Sequence, residues 1–547
     1  MKKVRSKILV IVALLIFLGV YYYVTLPAFN IHAEGFWFAL MGIIVILTAF
    51  LAFRKYRQSH VEVVTTTNVF ELIKDIKVLK YGLSLLIVVF VVYLAGSILS
   101  SPILNAAKYQ KLLAVQESDF TKDVEQVDFN TIPLLDKQSA ELLGNRKMGS
   151  MVDMVSQFEV AGDYTQINYK DTPTRATPLV YASPIKWLTN QNEGIPAYIM
   201  IDMATQDTEC VKLTEGAIRY SKSEYFNRNI YRHLRFHYPT YIFSDQIFFE
   251  INDEGIPYWV CPTKKFNVGL FGGETVGDVV LCNAVNGECT NYAVEDVPNW
   301  VDKVYSAELL TALYNYHGIY QHGFFNSVLG QKDCLKATNG YNYVALDDDV
   351  WVYTGVTSVS GDQSNVGFVM MNQRTMETKF YRVEGAIEDS AMSSAEGQVQ
   401  NLGYVAAFPL LLNIADEPTY FMALKDSGGL VKKYAMVNVQ KYQWVAIGDT
   451  VKDCEQAYLE LLETNGISNK DVENSLYQET TGVITKLKEA VLEGTTHYFI
   501  QLNNQKNFYE IDLSDTDLLS ILQFEEGDSI TISYVDEEGR TMVKDIK

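Results

Sequence analysis

Three long apolar runs occupy the first hundred residues of the chain. They are Ile8–Leu26, Phe36–Phe53 and Tyr81–Leu99, each 18 or 19 residues long and free of Asp, Glu, Lys and Arg. At about 1.5 Å of rise per helical residue, each run reaches roughly 28 Å, which matches the hydrocarbon thickness of a bilayer. The pattern therefore predicts three transmembrane helices within a membrane region of residues 1–102.

The basic residues around these runs predict the orientation of the chain. Four Lys and Arg precede the first run and six lie in residues 54–80, whereas residues 27–35 contain none. By the positive-inside rule, the N-terminus and the loop 54–80 are cytoplasmic and the large C-terminal region is extracellular. A cleavable signal peptide in residues 1–33 is disfavoured, because two further long runs would still anchor the chain. We expect a multi-pass protein of the plasma (cell) membrane.

Beyond the membrane region the hydrophobic pattern becomes that of an α+β fold. Residues 103–130 have the helical periodicity of a stalk. Short alternating stretches such as Tyr241–Ile251 follow, bounded by turn-forming residues as antiparallel strands are. Helices interrupt them, and the clearest carries Phe226, Ile230 and Leu234 at spacings of four. The extracellular region is therefore expected to alternate helices with antiparallel sheets.

One hairpin-like phrase recurs three times. The copies, 81 and 89 residues apart, are Tyr198–Leu213, Val279–Val294 and Phe368–Val383. Their fifth residues are Asp202, Asn283 and Asn372, residue types that bond their own turn backbone. The recurrence predicts repeated small modules, each a helix packed on an antiparallel sheet.

The recurrence also predicts where the modules begin and end. We expect the first module at 131–220, the second at 221–300, the third at 301–390, and a fourth with a closing helix at 391–466. Residues 479–547 contain about five short strands and a short helix, which predicts a small β-barrel of the OB or SH3-like type.

The first two modules resemble a known family, and the second module carries the resemblance best. "YPTYIFSDQIFFEINDEGIPYWVCP" (Tyr238–Pro262) and "GDVVLCNAVNGECTNY" (Gly277–Tyr292) are similar to the PepSY-type domain, a small α+β module found outside membranes. An insertion, Thr263–Gly277, separates its two strands here. Some members of that family act as peptidase inhibitors or regulators, so the resemblance implies binding or regulation, and it brings no catalytic residues.

The balance of charged residues changes sign at the same boundary at which the hydropathy changes. Residues 1–102 hold 10 Lys and Arg against 4 Asp and Glu, so 35 and 62 remain for residues 103–547, a balance of −27. Such a surface repels phosphate backbones and anionic headgroups. Nucleic acid is therefore excluded as an expected partner.

All six cysteines lie in the extracellular part, where disulfides are permitted. Cys282 and Cys289 flank one turn, so they are the candidate disulfide, although buried free cysteines are equally ordinary. The chain has no Cys-x-x-Cys pair, so its cysteine spacing does not indicate a structural zinc site.

An acidic turn is the one candidate metal site in the sequence. Asp347, Asp348 and Asp349 lie between two predicted strands and offer oxygen ligands for Ca²⁺. The EF-hand spacing is absent, and Asp is common in hairpin turns, so both interpretations stay open. No other cofactor is expected.

The remaining candidate chemistry is weak. His233 and His237 have the i, i+4 spacing of a metal-binding pair, but the HExxH glutamate is missing and Arg232 and Arg235 lie beside them. We therefore expect a partly solvated helix surface there. Neither a nucleophile elbow nor a phosphate loop occurs, so no catalytic or cofactor-binding residue is predicted.

The expected function follows from this combination. The sequence predicts a membrane-anchored, extracytoplasmic binding or regulatory protein of the cell envelope, without catalytic activity of its own. Its partner would be an envelope or membrane protein whose identity the sequence does not specify, and the oligomeric state is equally unspecified. An accessory or scaffold subunit of a membrane transporter or cell-wall enzyme complex is the alternative, and an envelope hydrolase is the third hypothesis.

Overall fold

The computed structural model describes most of the chain. The described residues are 2–58, 77–124, 135–170, 172–346, 349–359, 364–467, 478–492, 495–503, 505, 508–514, 516–537 and 540–546. Helix accounts for 34% and strand for 36%, so the α+β class is confirmed. The chain forms two compact units: Met1–Ser118 with Asn130–Ile387, and Asp119–Phe129 with Glu388–Lys547.

The helices and strands are numbered here in chain order. The helices are α1 (Lys2–Thr25), α2 (Glu34–Gln58), α3 (Lys77–Ser100), α4 (Pro102–Gln110), α5 (Phe120–Asp123), α6 (Lys137–Ser150), α7 (Pro184–Asn190), α8 (Ile230–His237), α9 (Ala307–Ile319), α10 (Gly323–Phe325), α11 (Glu388–Gln398) and α12 (Val451–Thr464). The strands of the first unit are β1 (Gln116–Ser118), β2 (Phe158–Val160), β3 (Thr165–Tyr169), β4 (Thr172–Tyr181), β5 (Ala197–Asp202), β6 (Thr208–Lys212), β7 (Phe248–Ile251), β8 (Pro257–Val268), β9 (Gly272–Asn283), β10 (Cys289–Ala293), β11 (Leu335–Ala337), β12 (Asn342–Leu346), β13 (Asp349–Ser358), β14 (Ser364–Asn365), β15 (Gly367–Asn372), β16 (Thr378–Tyr381) and β17 (Gly385–Ala386). Those of the second unit are β18 (Val405–Ala406), β19 (Leu410–Ile414), β20 (Glu417–Lys425), β21 (Val431–Asn438), β22 (Val445–Gly448), β23 (Gln478–Leu492), β24 (Thr495–Leu502), β25 (Tyr509–Asp512), β26 (Ser529–Glu537) and β27 (Arg540–Ile546).

Two helices, rather than the predicted three, are long and apolar enough to cross a membrane in the described part of the chain. They are Glu34–Ala52 within α2 and Lys77–Ser100, which is α3. The apolar stretch of α1 that qualifies runs only from Val12 to Thr25 and is too short by the same measure. The prediction of a first full span at residues 8–26 is therefore corrected to a shorter apolar helix.

The described part of the predicted stalk contains two helices, α4 and α5, with a short strand between them. α4 ends at Gln110, and its Tyr109 is buried with the hydroxyl donating to the Ser100 carbonyl at 2.7 Å. Residues Gln116–Ser118 then pair in parallel with β16 as an edge of a six-stranded sheet. The sequence did not reveal this strand, because a strand of three residues that pairs with a segment far along the chain leaves little local periodicity.

Three mainly antiparallel sheets of the first unit each contain one of the recurring hairpins. The first is ordered β2-β4-β5-β6 with β3 paired to β4, and the second is ordered β10-β9-β8-β7. The third is ordered β1-β16-β15-β13-β11 with β12 paired to β13. The first two share one core, in which Trp259 and Tyr198 are almost completely buried, so their two hairpins are held in a fixed relation.

The insertion Thr263–Gly277 lengthens β8 and β9 into a hairpin that reaches the ends of the apolar helices. The Ser100 hydroxyl at the end of α3 accepts hydrogen bonds from the backbone N–H groups of Leu270 and Phe271 at 2.8 and 3.1 Å. A Cβ on Gly96 would lie 2.6 Å from the Leu270 side chain, so a larger residue there would have to displace that side chain. The second sheet is thereby attached directly to α3.

The second unit contains one open sheet and one ring of strands. The open sheet is ordered β18-β20-β21-β22, with β19 paired to β20, and α12 covers it through Cys454, Tyr458 and Leu462. The C-terminal strands pair in the circular order β23-β24-β25-β27-β26, which closes a small barrel. Its core is aliphatic and aromatic, with Ile500, Ile521 and Ile532 fully buried.

Candidate functional site

The three copies of the recurring phrase form hairpins with the same turn. Asp202 Oδ1 accepts from the N–H groups of the second and third residues after it, at 2.8 and 2.9 Å. Asn283 Oδ1 does the same at 2.9 and 3.1 Å, and Asn372 Oδ1 at 2.8 Å in both bonds. The expectation that Asp or Asn bonds its own turn backbone is confirmed in all three hairpins.

The fifth residue of each turn adopts a left-handed backbone conformation. Gln206, Gly287 and Met376 have φ values of 64, 79 and 66°. Each donates its N–H to the carbonyl of the Asp or Asn four residues earlier, at 2.9 to 3.0 Å. The turns therefore share backbone geometry as well as side-chain contacts, and their strands leave in the same register.

Two of these hairpins line one groove. Its volume is about 1030 Å³, and it lies between the first and second sheets of the first unit. The Asp202 turn and β6 contribute one side, and the Asn283 turn and the 254–256 turn contribute the other. Tyr198 joins the two sides, since its hydroxyl donates to the Gly255 carbonyl at 3.0 Å.

β6 presents an open strand edge at this groove. It is the last strand of its sheet, and it pairs with β5 alone among the described strands. Leu213 N donates to Pro196 O, so Leu213 belongs to a hydrogen-bonded pair of the β5–β6 ladder. Because such pairs alternate along an antiparallel ladder, the backbone groups of Glu209 and Val211 also point toward β5. The N–H and C=O groups of Thr208, Cys210 and Lys212 consequently face away from the sheet.

The groove combines an apolar floor with an acidic rim. Tyr198, Met200, Val211 and Leu213 form the apolar part. Five acidic side chains and two basic ones line the walls, namely Asp202, Asp207, Glu209, Glu215, Glu254, Lys170 and Lys212. Because the Lys212 ammonium is 2.7 Å from the carboxylate of Asp153, the groove favours a positively charged or neutral ligand.

A second candidate site lies behind the Asn283 turn. His233, Cys282 and Cys289 each offer one nitrogen or sulfur atom, and these three atoms lie within 4.8 Å of one another. The Gly287 carbonyl oxygen is 2.7 Å from His233 Nε2 and 3.6 Å from Cys289 Sγ. We call this group the thiol–imidazole cluster.

The helix that carries His233 begins later than its apolar periodicity predicts. α8 starts at Ile230, because the Asn229 side chain caps it by accepting from Arg232 N, while its amide donates to the Lys222 carbonyl. Phe226 therefore lies outside the helix and is 64% exposed. This start directs Ile230, His233 and Leu234 into the protein.

The prediction of a partly solvated surface is wrong for His233 and right for His237. The His233 ring is 9% exposed and packs 4.4 Å from the Tyr220 ring, centroid to centroid. His237 is exposed, its ring centroid is 4.3 Å from that of His233, and its Nδ1 is 2.8 Å from the His233 carbonyl. The two histidines thus lie beside the cysteines as an inner and an outer imidazole.

Cys282 and Cys289, the predicted disulfide candidates, lie directly opposite each other on β9 and β10. Asn283 N donates to Glu288 O, so the cysteines occupy a non-hydrogen-bonded pair, in which side chains approach closely. Both are thiols in the structure. The pairing brings the sulfurs together without joining them.

Contacts inside the cluster shift the pKa values of its two thiols in opposite directions. The hydrogen bond from Cys282, followed by that from His233, lowers the pKa of the Cys289 thiol. The same bond to Cys289 and burial both raise the pKa of Cys282. Burial lowers the pKa of His233, but its contacts with Cys289 and Gly287 outweigh this effect and raise the pKa overall. Cys289 is therefore the more acidic of the two cysteines.

Of the three aspartates in the predicted acidic turn, the structure describes only one. Asp347 and Asp348 lie outside the described residues. Asp349 is 7% exposed, and both of its carboxylate oxygens are engaged, by Arg374 Nε at 2.6 Å and by Asn372 Nδ2 at 2.7 Å. The geometry gives Asp349 a structural role in holding the third hairpin.

Comparisons with known proteins supply no family. No family model and no curated protein matches the chain. A solved structure of the Bombyx mori GH32 beta-fructofuranosidase, a mutant in complex with sucrose, is 10% identical with a TM-score of 0.19, and the match covers 73% of this chain and 69% of that one. A structure described as "Structural mimicry for functional antagonism" is 11% identical with a TM-score of 0.10, covering 38% of this chain and 83% of the other. Both TM-scores are too low to inform the fold or the function of this chain.

Proposed function

We propose that this protein is a membrane-anchored binding and regulatory protein that holds an extended segment of another envelope protein in the groove beside β6. The segment would add as a strand to the open edge of β6. Backbone hydrogen bonds then provide affinity, and the groove side chains select the sequence. The single observation that carries this proposal is the open edge of β6 along the groove wall.

The third hairpin supports strand addition at this position. β16 corresponds to β6 in the recurring phrase, and its outer edge is covered by β1, with Gln116 opposite Lys379 and Ser118 opposite Tyr381. The same hairpin geometry thus accepts an added strand from a distant part of this chain. At β6 the equivalent edge pairs with no described strand, and residues of β6 line the groove. β10 is likewise the last strand of its sheet, but it contributes no residue to the groove.

Charge defines the class of ligand. The acidic rim disfavours an acidic segment, so the bound strand would be basic or neutral, with apolar side chains alternating toward the groove floor. Met200 offers that floor an adaptable thioether, beside the partly exposed side chains of Val211 and Leu213. The acidic rim also repels anionic headgroups, which disfavours a lipid ligand.

The proposal also covers the membrane region and the domains outside it. We infer membrane insertion through the N-terminal apolar helices, repeated PepSY-like modules outside the plasma membrane, and a C-terminal barrel of the OB or SH3-like type. In this arrangement the helices keep the groove close to partners embedded in the same membrane. Inhibition or regulation of such a partner would need no catalytic residue in this chain.

Site-specific photo-crosslinking in intact cells tests the proposal. A photoreactive residue replacing Glu209 is expected to capture a partner, whereas one replacing Glu377, an exposed residue of the third hairpin, is expected to capture none. Thr208→Pro removes an outward N–H group without breaking the ladder to β5, so capture should fall about tenfold. Thr208→Ala is the matched control and should leave capture unchanged. Equal capture at both positions, or capture unaffected by the proline, would show that β6 is not the binding edge.

A further inference from the structure

We propose that the thiol–imidazole cluster is a Zn²⁺ site, with His233, Cys282 and Cys289 as its protein ligands. The proposal is independent of the groove and of what the groove binds. The cysteine spacing did not indicate such a site, because six residues separate the two cysteines and the histidine comes from a helix about fifty residues earlier.

To bind zinc, the three donor atoms need to move only slightly closer to one another. Zinc binds sulfur at about 2.3 Å and imidazole nitrogen at about 2.0–2.1 Å, so tetrahedral ligand atoms lie roughly 3.5–3.8 Å apart. The three donor atoms already lie within 4.8 Å of one another. Side-chain rotations that move these donor atoms by about 1 Å would close the site without a change in the backbone.

The donors are held on rigid elements. Cys282 is fully buried on β9, and Cys289 lies opposite it across a turn that the Asn283 side chain fixes. A Cβ on Gly287 would lie 2.4 Å from the Tyr220 ring, which in turn packs on His233. The turn, the ring and the helix therefore position the three donors together before any ion is bound.

The donor set selects the ion. Two sulfurs and one imidazole suit a soft or borderline cation, and a mixed sulfur and nitrogen set with tetrahedral geometry is typical of Zn²⁺. Carboxylate-preferring ions such as Ca²⁺ and Mg²⁺ are disfavoured, since the cluster contains no carboxylate. The exposed His237 ring lies beside His233, where a fourth ligand or a water would complete the coordination.

Binding is a proton exchange and involves no oxidation. Zn²⁺ displaces the remaining thiol protons of Cys282 and Cys289 to solvent and takes one lone pair from His233, which must be neutral. Affinity should therefore fall as the pH drops. A disulfide between the two cysteines would remove both protons and two electrons and would abolish the site.

Metal analysis of the full-length protein in detergent tests the site. The protein is purified without a histidine tag, under reducing conditions, and titrated with Zn²⁺ alone. We expect about one tightly bound zinc per chain in the wild type, and at least a tenfold weaker affinity in Cys282→Ser and in Cys289→Ser. Cys334→Ser is the matched control, because Cys334 is also a buried thiol but lies outside the cluster, and its affinity should be unchanged.

Two further measurements keep the proposal falsifiable if a cysteine variant misfolds. Co²⁺ bound to wild-type protein should show thiolate charge-transfer absorption, and two thiols should resist alkylation until a chelator is added. Folded wild-type protein that binds no zinc overturns the proposal. So does alkylation of intact cells followed by mass spectrometry, if Cys282 and Cys289 are recovered as a disulfide.

Discussion

At the scale of single residues, one side-chain oxygen organises each recurring turn. Asp202 and Asn283 make equivalent bonds, although one is a carboxylate and the other a carboxamide, because both offer an oxygen at the same distance from the backbone. The chemistry that matters in these turns is hydrogen-bond acceptance, and the charge is incidental.

Asp202→Asn should therefore leave the first hairpin intact, whereas Asp202→Ala should destabilise it locally by about 1 kcal/mol, since two turn N–H groups lose their acceptor. Hydrogen exchange at the amides of Ala204 and Thr205 measures the effect. Faster exchange in both variants would show that the negative charge, rather than the oxygen, stabilises the turn.

Arg374 and Asp349 form the best-defined ion pair of the third sheet. Arg374→Ala leaves the nearly buried Asp349 carboxylate without its cation, so we expect a loss of about 3 kcal/mol in the free energy of unfolding. The double variant Arg374→Ala with Asp349→Asn should recover part of that loss. Thermal unfolding of the three proteins gives the comparison, and an equal loss in the single and double variants would contradict the assignment.

At the scale of elements, the accuracy of sequence-based prediction depended on how local the signal was. The hairpin turns were predicted correctly because Asn, Asp and Gly determine the turn through contacts with residues at most six positions away. The start of α8 was missed, because the Asn229 cap outweighs an apolar periodicity that continues through Phe226. The thiol–imidazole cluster was missed because a helix and a hairpin meet only in the folded chain, and neither segment alone has metal-ligand spacing.

α12 illustrates an element whose start is fixed by local contacts. The Thr450 hydroxyl accepts from Asp453 N, and the Asp453 carboxylate accepts from Thr450 N, both at 3.1 Å. Thr450→Ala should cost about 1 kcal/mol and raise hydrogen exchange in the first turn, while Thr450→Ser should be neutral. Unchanged exchange in the alanine variant would mean that packing on the sheet alone holds the helix start.

At the scale of the whole molecule, charge and hydropathy divide the chain at the same place. Residues 1–102 carry 10 basic against 4 acidic residues, a balance of +6, and the following 445 residues carry a balance of −27. This division is the basis for the expectation that the large region lies outside the cell, because the positive-inside rule assigns Lys- and Arg-rich flanking segments to the cytoplasm.

An epitope inserted between Gly428 and Gly429, in the exposed turn joining β20 and β21, tests that placement. Insertions are well tolerated at exposed turns, so antibody should bind intact cells carrying this variant. A tag placed before Lys2 should be detected only after permeabilisation. The opposite result at both sites would invert the orientation of the chain.

One strand joins three features that have so far been described separately. β9 begins at Gly272, beside the contact with α3, and runs through Cys282 to Asn283 at the groove, about 40 Å of continuous backbone. Because β9 is continuous from the contact with α3 to the groove, we expect a change in the tilt of α3 to affect the groove and the cluster. The converse must hold to the same degree, since energetic coupling between two sites is reciprocal. β9 is thus the one strand in the described part of the chain that runs from the contact with α3 to both candidate sites, so binding at either site is expected to be coupled to the position of α3.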